Sequence, residues 1–137
     1  MKSTIVRLAM AFALAIAGSL AWAAPASAAN QLGCTTYGCF EVDGWGSGFG
    51  IWFQNGDIMR VCDNYADGWS VVVMATFDNT TKYKWHTGGS AGDNPCTDRS
   101  FGNLPEGSHF YFRACLGKYS LNQVNLDSCG ELKYATA

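Results

Sequence analysis

The sequence has few basic residues, and they are scattered along the chain. Its 137 residues include nine Lys and Arg against eleven Asp and Glu. Two of the cations, Lys2 and Arg7, precede an apolar run, and the other seven against eleven acids give the rest of the chain a net charge of −4. No stripe of positive charge forms that would attract phosphate backbones or an anionic lipid surface. Nucleic-acid and membrane-surface partners are therefore disfavoured.

After residue 29 the sequence also lacks an apolar run long enough to span a bilayer. The long apolar run comes earlier, over residues 8–22, between the charged start and the small residues Ala28 and Ala29. This order is typical of a secretory signal peptide. We therefore predict a leader over residues 1–29 and a single secreted domain over residues 30–137, with no membrane anchor after cleavage. So short a domain excludes a multidomain protein and a doubly wound α/β enzyme.

A helical period is absent as well. No window after residue 29 repeats apolar side chains every 3.6 residues over three turns, whereas alternating and β-branched segments between glycine-rich turns are frequent. The pattern predicts an all-β fold, a small disulfide-stapled β-sandwich or barrel of about seven short antiparallel strands. The β-branched segment over residues 69–77 is typical of a central strand.

Two further strand segments alternate in a way that assigns side chains to faces. Residues 109–116 place Phe110 and Phe112 on one face and Tyr111 and Arg113 on the other. Residues 82–86 put two aromatic side chains on one face and two lysines with a histidine on the other, which indicates a strand with one wet face.

The turns and irregular segments are predicted from glycine, proline and asparagine. Asn55-Gly56 predicts a two-residue type I′ turn in a hairpin over residues 50–62. Residues 45–50 alternate with glycine and indicate a loop or a bulged strand. We also predict a strand over residues 39–43 and a long irregular segment over residues 87–107.

All six cysteines follow the predicted leader, and an even number of cysteines in an exported chain predicts disulfides. Six cysteines allow fifteen pairings. We prefer the sequential one: Cys34–Cys39, Cys62–Cys96 and Cys115–Cys129. A metal site is disfavoured because the chain contains no Cys-x-x-Cys or His-x-x-x-His pair. No cofactor and no metal ligand are expected.

Catalytic motifs are weak in this sequence. Residues 88–92 fit the Gly-x-Ser-x-Gly pattern, but the Asp-Asn-Pro that follows cannot open the helix that this nucleophile turn requires. Asp63 and Asp67 resemble the start of a calcium loop, yet the third position is Tyr65 rather than an oxygen ligand. His86 and His109 are candidates for a general acid–base pair, although nothing in their spacing makes them converge. We do not expect an enzyme and assign no catalytic residue.

Aromatic side chains are the feature that can carry binding. They exceed what one inward face per strand easily buries, and exposed rings stack on sugars or anchor in partner pockets. Trp45, Trp52 and Trp85 are the predicted ligand-binding residues, with Trp45 the most exposed because glycine flanks it on both sides. The expected function is a secreted, monomeric, non-enzymatic domain that binds a glycan, the cell wall or a protein.

Two alternative functions stay open. A stapled β domain can present a rigid loop, here residues 87–101, as an inhibitor of a secreted protease or amylase. The chain can also be a small secreted hydrolase that uses His86 or His109.

Four short motifs resemble a loose group of small exported actinobacterial proteins of the streptomycete type. They are Val-Cys-Asp at 61–63, Ala-Asp-Gly-Trp-Ser at 66–70, Pro-Glu-Gly at 105–107 and Phe-Arg-Ala-Cys-Leu-Gly at 112–117. The resemblance implies a secreted, disulfide-bearing β domain. Because no activity is established for that group, it supplies no catalytic residue.

Overall fold

Nine short strands form two antiparallel sheets in the computed structural model, which describes residues 29–40, 44–88 and 95–137. The first sheet has the order β1-β2-β3-β6 and the second the order β5-β4-β7-β8, with β9 also paired to β7. The strands are β1 (Gln31–Cys34), β2 (Gly48–Phe53), β3 (Ile58–Asp63), β4 (Ser70–Phe77), β5 (Thr80–Trp85), β6 (Cys96–Ser100), β7 (His109–Lys118), β8 (Gln123–Asn125) and β9 (Lys133–Thr136). The predicted disulfide-stabilised all-β fold is confirmed.

The inward faces of the two sheets share one hydrophobic core. β4 occupies the centre of the second sheet, as predicted, and Val71, Val73 and Ala75 point from it into the core. β7 contributes the face predicted from its alternation, including Phe110 and Phe112. The first sheet supplies the other half of this core through three side chains, Trp52, Met59 and Val61. The structure is therefore a β-sandwich.

Glycines on β2 let the two sheets approach closely. A Cβ atom added to Gly48 would lie 2.3 Å from Val71 Cγ2, and one added to Gly50 would lie 2.4 Å from Val73 Cγ2. Only glycine fits at these two positions without movement of the facing strand. Residues 48–50 belong to a regular strand rather than to the predicted loop or bulge.

The hairpin between β2 and β3 was predicted correctly, but its turn was not. Phe53 pairs with Ile58, so the connection has four residues, and the left-handed ones are Gly56 and Asp57 rather than Asn55 and Gly56. Asp57 is held in this conformation by long-range contacts, since its carboxylate accepts a hydrogen bond from the Leu104 backbone at 2.7 Å.

The two-residue turn with two left-handed residues occurs instead between β4 and β5. Phe77 pairs with Thr80, and the intervening Asp78 and Asn79 have φ angles of 42° and 68°. This geometry is that of a type I′ hairpin, which matches the right-handed twist of the flanking strands.

Two edge strands were not predicted from the sequence. β1 was not predicted, and β6 lies inside the segment 87–107 that was expected to be irregular. Edge strands are often polar and lack apolar alternation, so their pattern resembles a loop. The strand predicted over 39–43 is not formed at Cys39 and Phe40, and residues 41–43 lie outside the described residues.

All three predicted disulfides are confirmed. Cys34–Cys39 closes a short loop after β1, and Cys115–Cys129 ties β7 to the segment before β9. Cys62–Cys96 joins directly opposed residues of β3 and β6 and closes the longest loop, with a sequence separation of 34. The bridges therefore fasten both a sheet edge and the last strand.

We expect the three disulfides to differ in their contribution to stability. Replacing both Cys62 and Cys96 with Ala should lower the free energy of unfolding by about 4 kcal/mol, and replacing Cys34 and Cys39 by about 2 kcal/mol, because the loops differ in length. Urea denaturation of the oxidised variants measures both. Equal losses from the two double variants would contradict the chain-entropy explanation.

The close approach of the sheets can be tested at Gly50. Gly50→Ala should lower the free energy of unfolding by about 1–3 kcal/mol, because the new methyl group overlaps the Val73 side chain. In a Val73→Ala background the same substitution should cost much less, since the overlapping methyl groups are gone. A double-mutant cycle by thermal or urea denaturation would refute the explanation if the two effects simply added.

Candidate functional site

The outer face of the second sheet carries a set of exposed tyrosines. We call the tyrosine face the surface formed by Tyr83 on β5, Tyr111 on β7, Tyr134 on β9 and Tyr119 just after β7. These side chains are between 46% and 55% exposed. Inward positions on β7 are filled by its core residues, so strand alternation turns Tyr111 outward. Tyr111 and Tyr119 are eight residues apart, which spans about 26 Å of extended strand.

Strand pairing fixes the arrangement of this face. Thr81, Thr76, Tyr111 and Tyr134 occupy successive opposed positions on β5, β4, β7 and β9. The rings of Tyr111 and Tyr134 lie 5.2 Å apart between centroids, and His109 stacks on Tyr134 at 5.1 Å. Cross-strand aromatic pairs stabilise a sheet by about 0.2–1 kcal/mol. The pairing still leaves about half of each tyrosine in water.

Tyr83 borders a shallow groove of about 300 Å³, lined also by Asn122, Val124 and Leu126. Within the described ranges, neither the Tyr83 hydroxyl nor the Asn122 side-chain amide has a hydrogen-bond partner, and the Tyr83 ring contacts no other ring. Asn122 has a left-handed backbone with φ of 49°, which ends the short turn over Tyr119–Leu121. The groove thus offers a free ring, a free hydroxyl and a free amide.

A second, small hydrophobic cluster supports this groove from below. Val72, Trp85 and Cys115 are buried there, and Val124 packs against them. The Trp85 ring also contacts Tyr119, with centroids 5.7 Å apart. Because Cys115 is in a disulfide, the floor of the groove is covalently tied to the segment that carries Leu126. The arrangement makes the groove a rigid surface feature.

The three predicted ligand-binding tryptophans do not form one site. Trp52 is 1% exposed, and its indole N–H donates to the Thr136 carbonyl at 2.8 Å. Trp85 is 8% exposed beneath the groove. Both rings are part of the two hydrophobic clusters and present no free face for stacking, so we withdraw them as ligand contacts.

Trp45 is exposed, as expected, with 47% of its surface accessible. Its ring forms a T-shaped pair with that of Tyr37, with centroids 4.8 Å apart. The next residue, Gly46, donates its N–H to the Asp67 carboxylate at 2.8 Å, which anchors the segment. Trp45 therefore remains a separate candidate contact, in the loop that precedes β2 rather than on the tyrosine face.

The two histidines proposed for acid–base chemistry do not converge. His86 follows β5 and is buried, with Nδ1 2.9 Å from the Thr97 hydroxyl. His109 starts β7, and its Nδ1 lies 3.0 Å from the Thr136 hydroxyl. Trp85 and Cys115 pair with the same residue of β4, so His86, which follows Trp85, lies nearly level with Cys115. His109 is therefore about 20 Å from His86 along the strand direction. No single reacting atom can contact both rings.

The loop that resembled a calcium site uses its carboxylates for structure. Asp67 accepts hydrogen bonds from the backbone N–H groups of Gly46 and Trp69, both at 2.8 Å. Among the described residues no group of three His, Cys, Asp or Glu is arranged to hold a metal ion. The Gly-x-Ser-x-Gly motif at 88–92 lies outside the described residues from position 89 onward.

Asp63 is an acidic group buried at the end of β3. Burial raises the pKa of its carboxyl to about 6, although the backbone N–H groups of Tyr65 and Val71 and the charge of His86 act in the opposite direction. The backbone of Val71 connects Asp63 with His86. Its N–H donates to the Asp63 carboxyl, and its carbonyl accepts a hydrogen bond from the His86 backbone at 2.9 Å. Asp63 is therefore a structural group that titrates in mildly acidic solution.

Comparison with protein-family models, with curated proteins and with solved structures finds no match for this chain. The resemblance to exported streptomycete proteins therefore stays a prediction. In the portion of the chain that the structure covers, no helix is long and apolar enough to cross a membrane.

Most of the tyrosine face was not predicted from the sequence, although part of its pattern is visible there. The alternation in 109–116 already separated Tyr111 and Arg113 from the core phenylalanines. The alternation in 82–86 likewise grouped Tyr83 with Trp85. What the sequence did not contain was the pairing that places these faces side by side.

Asp63→Asn should change how stability depends on pH. The carboxyl has a pKa of about 6 in the folded protein and about 4 in the unfolded chain, so the folded state holds the proton more tightly. The resulting stabilisation is complete below pH ~4 and is lost as the pH rises through 6. Relative to Asp63→Asn, the wild type should therefore lose about 1–3 kcal/mol of unfolding free energy between pH 4 and pH 7.5.

Urea denaturation at several pH values measures this difference. Asp67→Asn is the matched control, because it removes a carboxylate from the same loop and leaves the buried Asp63 carboxyl in place. A constant difference between the wild type and Asp63→Asn across this range would refute the prediction.

Proposed function

We propose that this protein is a secreted, non-enzymatic binding domain that holds a polysaccharide chain on its tyrosine face. The observation that carries the proposal is the exposed Tyr83 ring beside a groove with an unpartnered hydroxyl and amide. Sugar rings present an apolar face and a rim of hydroxyls. An aromatic ring with hydrogen-bonding groups at its edge complements both.

The shape of the surface favours a polymer over a small molecule. The groove at Tyr83 is shallow, and the other tyrosines continue along an open sheet face. A small ligand usually occupies a concave site that buries most of its surface. A linear chain can instead gain affinity from several weakly held units along about 26 Å of β7.

The predicted export agrees with such a role. The leader-like segment at 1–29 and the three disulfides both suit an oxidising extracellular environment, where polysaccharides are abundant. Disulfides also keep the sheet face rigid, and a rigid surface loses less conformational entropy on binding.

The two alternatives have less support from named contacts. Residues 96–100 of the loop proposed as an inhibitory segment form an edge strand of the first sheet, and residues 89–94 lie outside the described residues. A hydrolase would need the two histidines, or one histidine and a carboxylate, at an accessible site. His86 is buried and His109 is occupied by Thr136 and Tyr134.

Tyr83→Ala tests the proposed site. Binding is measured as depletion of the mature protein by insoluble cellulose, chitin and peptidoglycan, and by affinity electrophoresis in soluble xylan. The variant should lose about tenfold in affinity, because one stacked ring contributes about 1–1.5 kcal/mol. Tyr83→Phe should keep most of the affinity that depends on the ring.

Two further variants make the result specific. Tyr65→Ala removes a tyrosine of similar exposure from a loop outside the tyrosine face and should bind as the wild type does. Trp45→Ala tests the other exposed ring. Wild-type levels of binding by Tyr83→Ala, together with loss in Trp45→Ala, would move the site to the loop before β2. Absence of binding to every polysaccharide would refute the proposed function.

A further inference from the structure

Three cations gather where the edges of the two sheets meet. We call the cationic seam the group formed by Lys82 and Lys84 of β5 and Arg99 of β6. β5 is an edge strand of the second sheet, and β6 is an edge strand of the first. The seam holds three of the seven basic residues that follow the predicted leader, in a part of the chain that is acidic overall.

The lysines of the seam cover the rim of the core. Lys82 Nζ lies 5.1 Å from the centroid of the Phe77 ring, and Lys84 Nζ lies 4.8 Å from that of Phe101. These two rings are themselves 5.1 Å apart, so the two lysines cover one continuous aromatic edge. Their apolar stems shield the aromatic edge while their charged ends stay near water.

Every hydrogen-bond acceptor that the seam uses is neutral. Lys84 donates to the Ser100 carbonyl at 2.7 Å. Arg99 donates to the Trp85 carbonyl at 3.0 Å and to the Thr87 hydroxyl at 2.5 Å. In the described ranges, no carboxylate oxygen lies within 4.0 Å of any of these three cations.

The positive charges of the seam repel one another. The pKa of Lys84 is lowered, first by burial and then by the charges of Lys82 and Arg99. A carboxylate partner would raise that pKa instead. By contrast, Arg60 on β3 forms an ion pair with Asp98 on β6, its neighbour in the first sheet, with an N–O distance of 2.6 Å.

We propose that the cationic seam binds an oxyanion, a sulfate or a carboxylate group. Such a group would accept hydrogen bonds from the remaining donors of Lys82, Lys84 and Arg99 and would relieve their mutual repulsion. The two lysines of the seam and Tyr83 lie on opposite faces of β5, since they alternate along that strand. Where the proposed function holds, the oxyanion is carried by an acidic polysaccharide that crosses the edge of β5.

The first experiment uses inorganic sulfate and needs no polysaccharide. At pH 7 and equal ionic strength, thermal denaturation compares sodium sulfate with sodium chloride. The wild type should show a saturable rise in Tm, about 5 °C at 10 mM sulfate for half-saturation near 1 mM. Lys82→Met and Lys84→Met should lose that rise, whereas Tyr83→Ala should keep it.

Lys133→Met is the matched control. Lys133 has a carboxylate partner in Glu131 and lies on β9, so its loss changes net charge equally without touching the seam. It should retain the sulfate effect. Sulfate also stabilises proteins in general through exclusion from their surface. An equal, unsaturated rise in all variants would mean a general salt effect only and would overturn the proposal.

The second experiment identifies the source of the oxyanion. Affinity electrophoresis compares polygalacturonate with its methyl ester, which has the same backbone without the charge. The wild type should prefer the acidic polymer by several-fold, and Lys84→Met should remove the preference without abolishing binding. Tyr83→Ala should weaken both. A sulfate effect without binding to these two polymers or to any polysaccharide named above would leave the seam as a site for a free ion and refute the proposed function alone.

Discussion

The two faces of β7 link the stability of this protein to its candidate site. Phe110 and Phe112 enter the core, and because side chains alternate along a strand, Tyr111 between them must face outward. A slip of one residue would bury the tyrosine and expose the phenylalanines. The core therefore fixes the register that displays the tyrosine face. β4, which pairs with β7 along its length, transmits the same register to Tyr83 on β5.

The outer face is stiff because it has its own support. Val72, Trp85 and Cys115 form a hydrophobic cluster on the side of the sheet away from the main core. The Cys115–Cys129 bridge connects this cluster to the chain segment that borders the groove. A sheet with one face in the core and a second cluster on the other face holds surface rings in place. Such rings lose less freedom when a ligand covers them.

Local residue patterns predict the elements that depend on neighbouring residues, but they do not predict the features that depend on strand pairing. The alternation in β7, the central position of β4 and the exposure of Trp45 followed from neighbouring residues. The disulfides were predicted by preferring the sequential arrangement of the cysteines. The physical reason for Cys62–Cys96, that β3 pairs with β6 and places these residues opposite each other, is visible only in the structure. Trp52 is buried against Phe101 and Phe110, which come from distant parts of the chain. No short window of sequence contains those contacts.

The cationic seam needs a further explanation beyond protection of sheet edges. Charged side chains on an edge strand prevent pairing with another molecule, and charges of both signs do this without repulsion. The pair of Arg60 and Asp98 on the first sheet is an example. Along the seam all three charges are positive, and the acceptors they use within the described residues are neutral, so the folded state carries an electrostatic cost that edge protection does not require. A bound oxyanion would lower that cost, because its charge is opposite and its oxygens accept hydrogen bonds from ammonium and guanidinium groups.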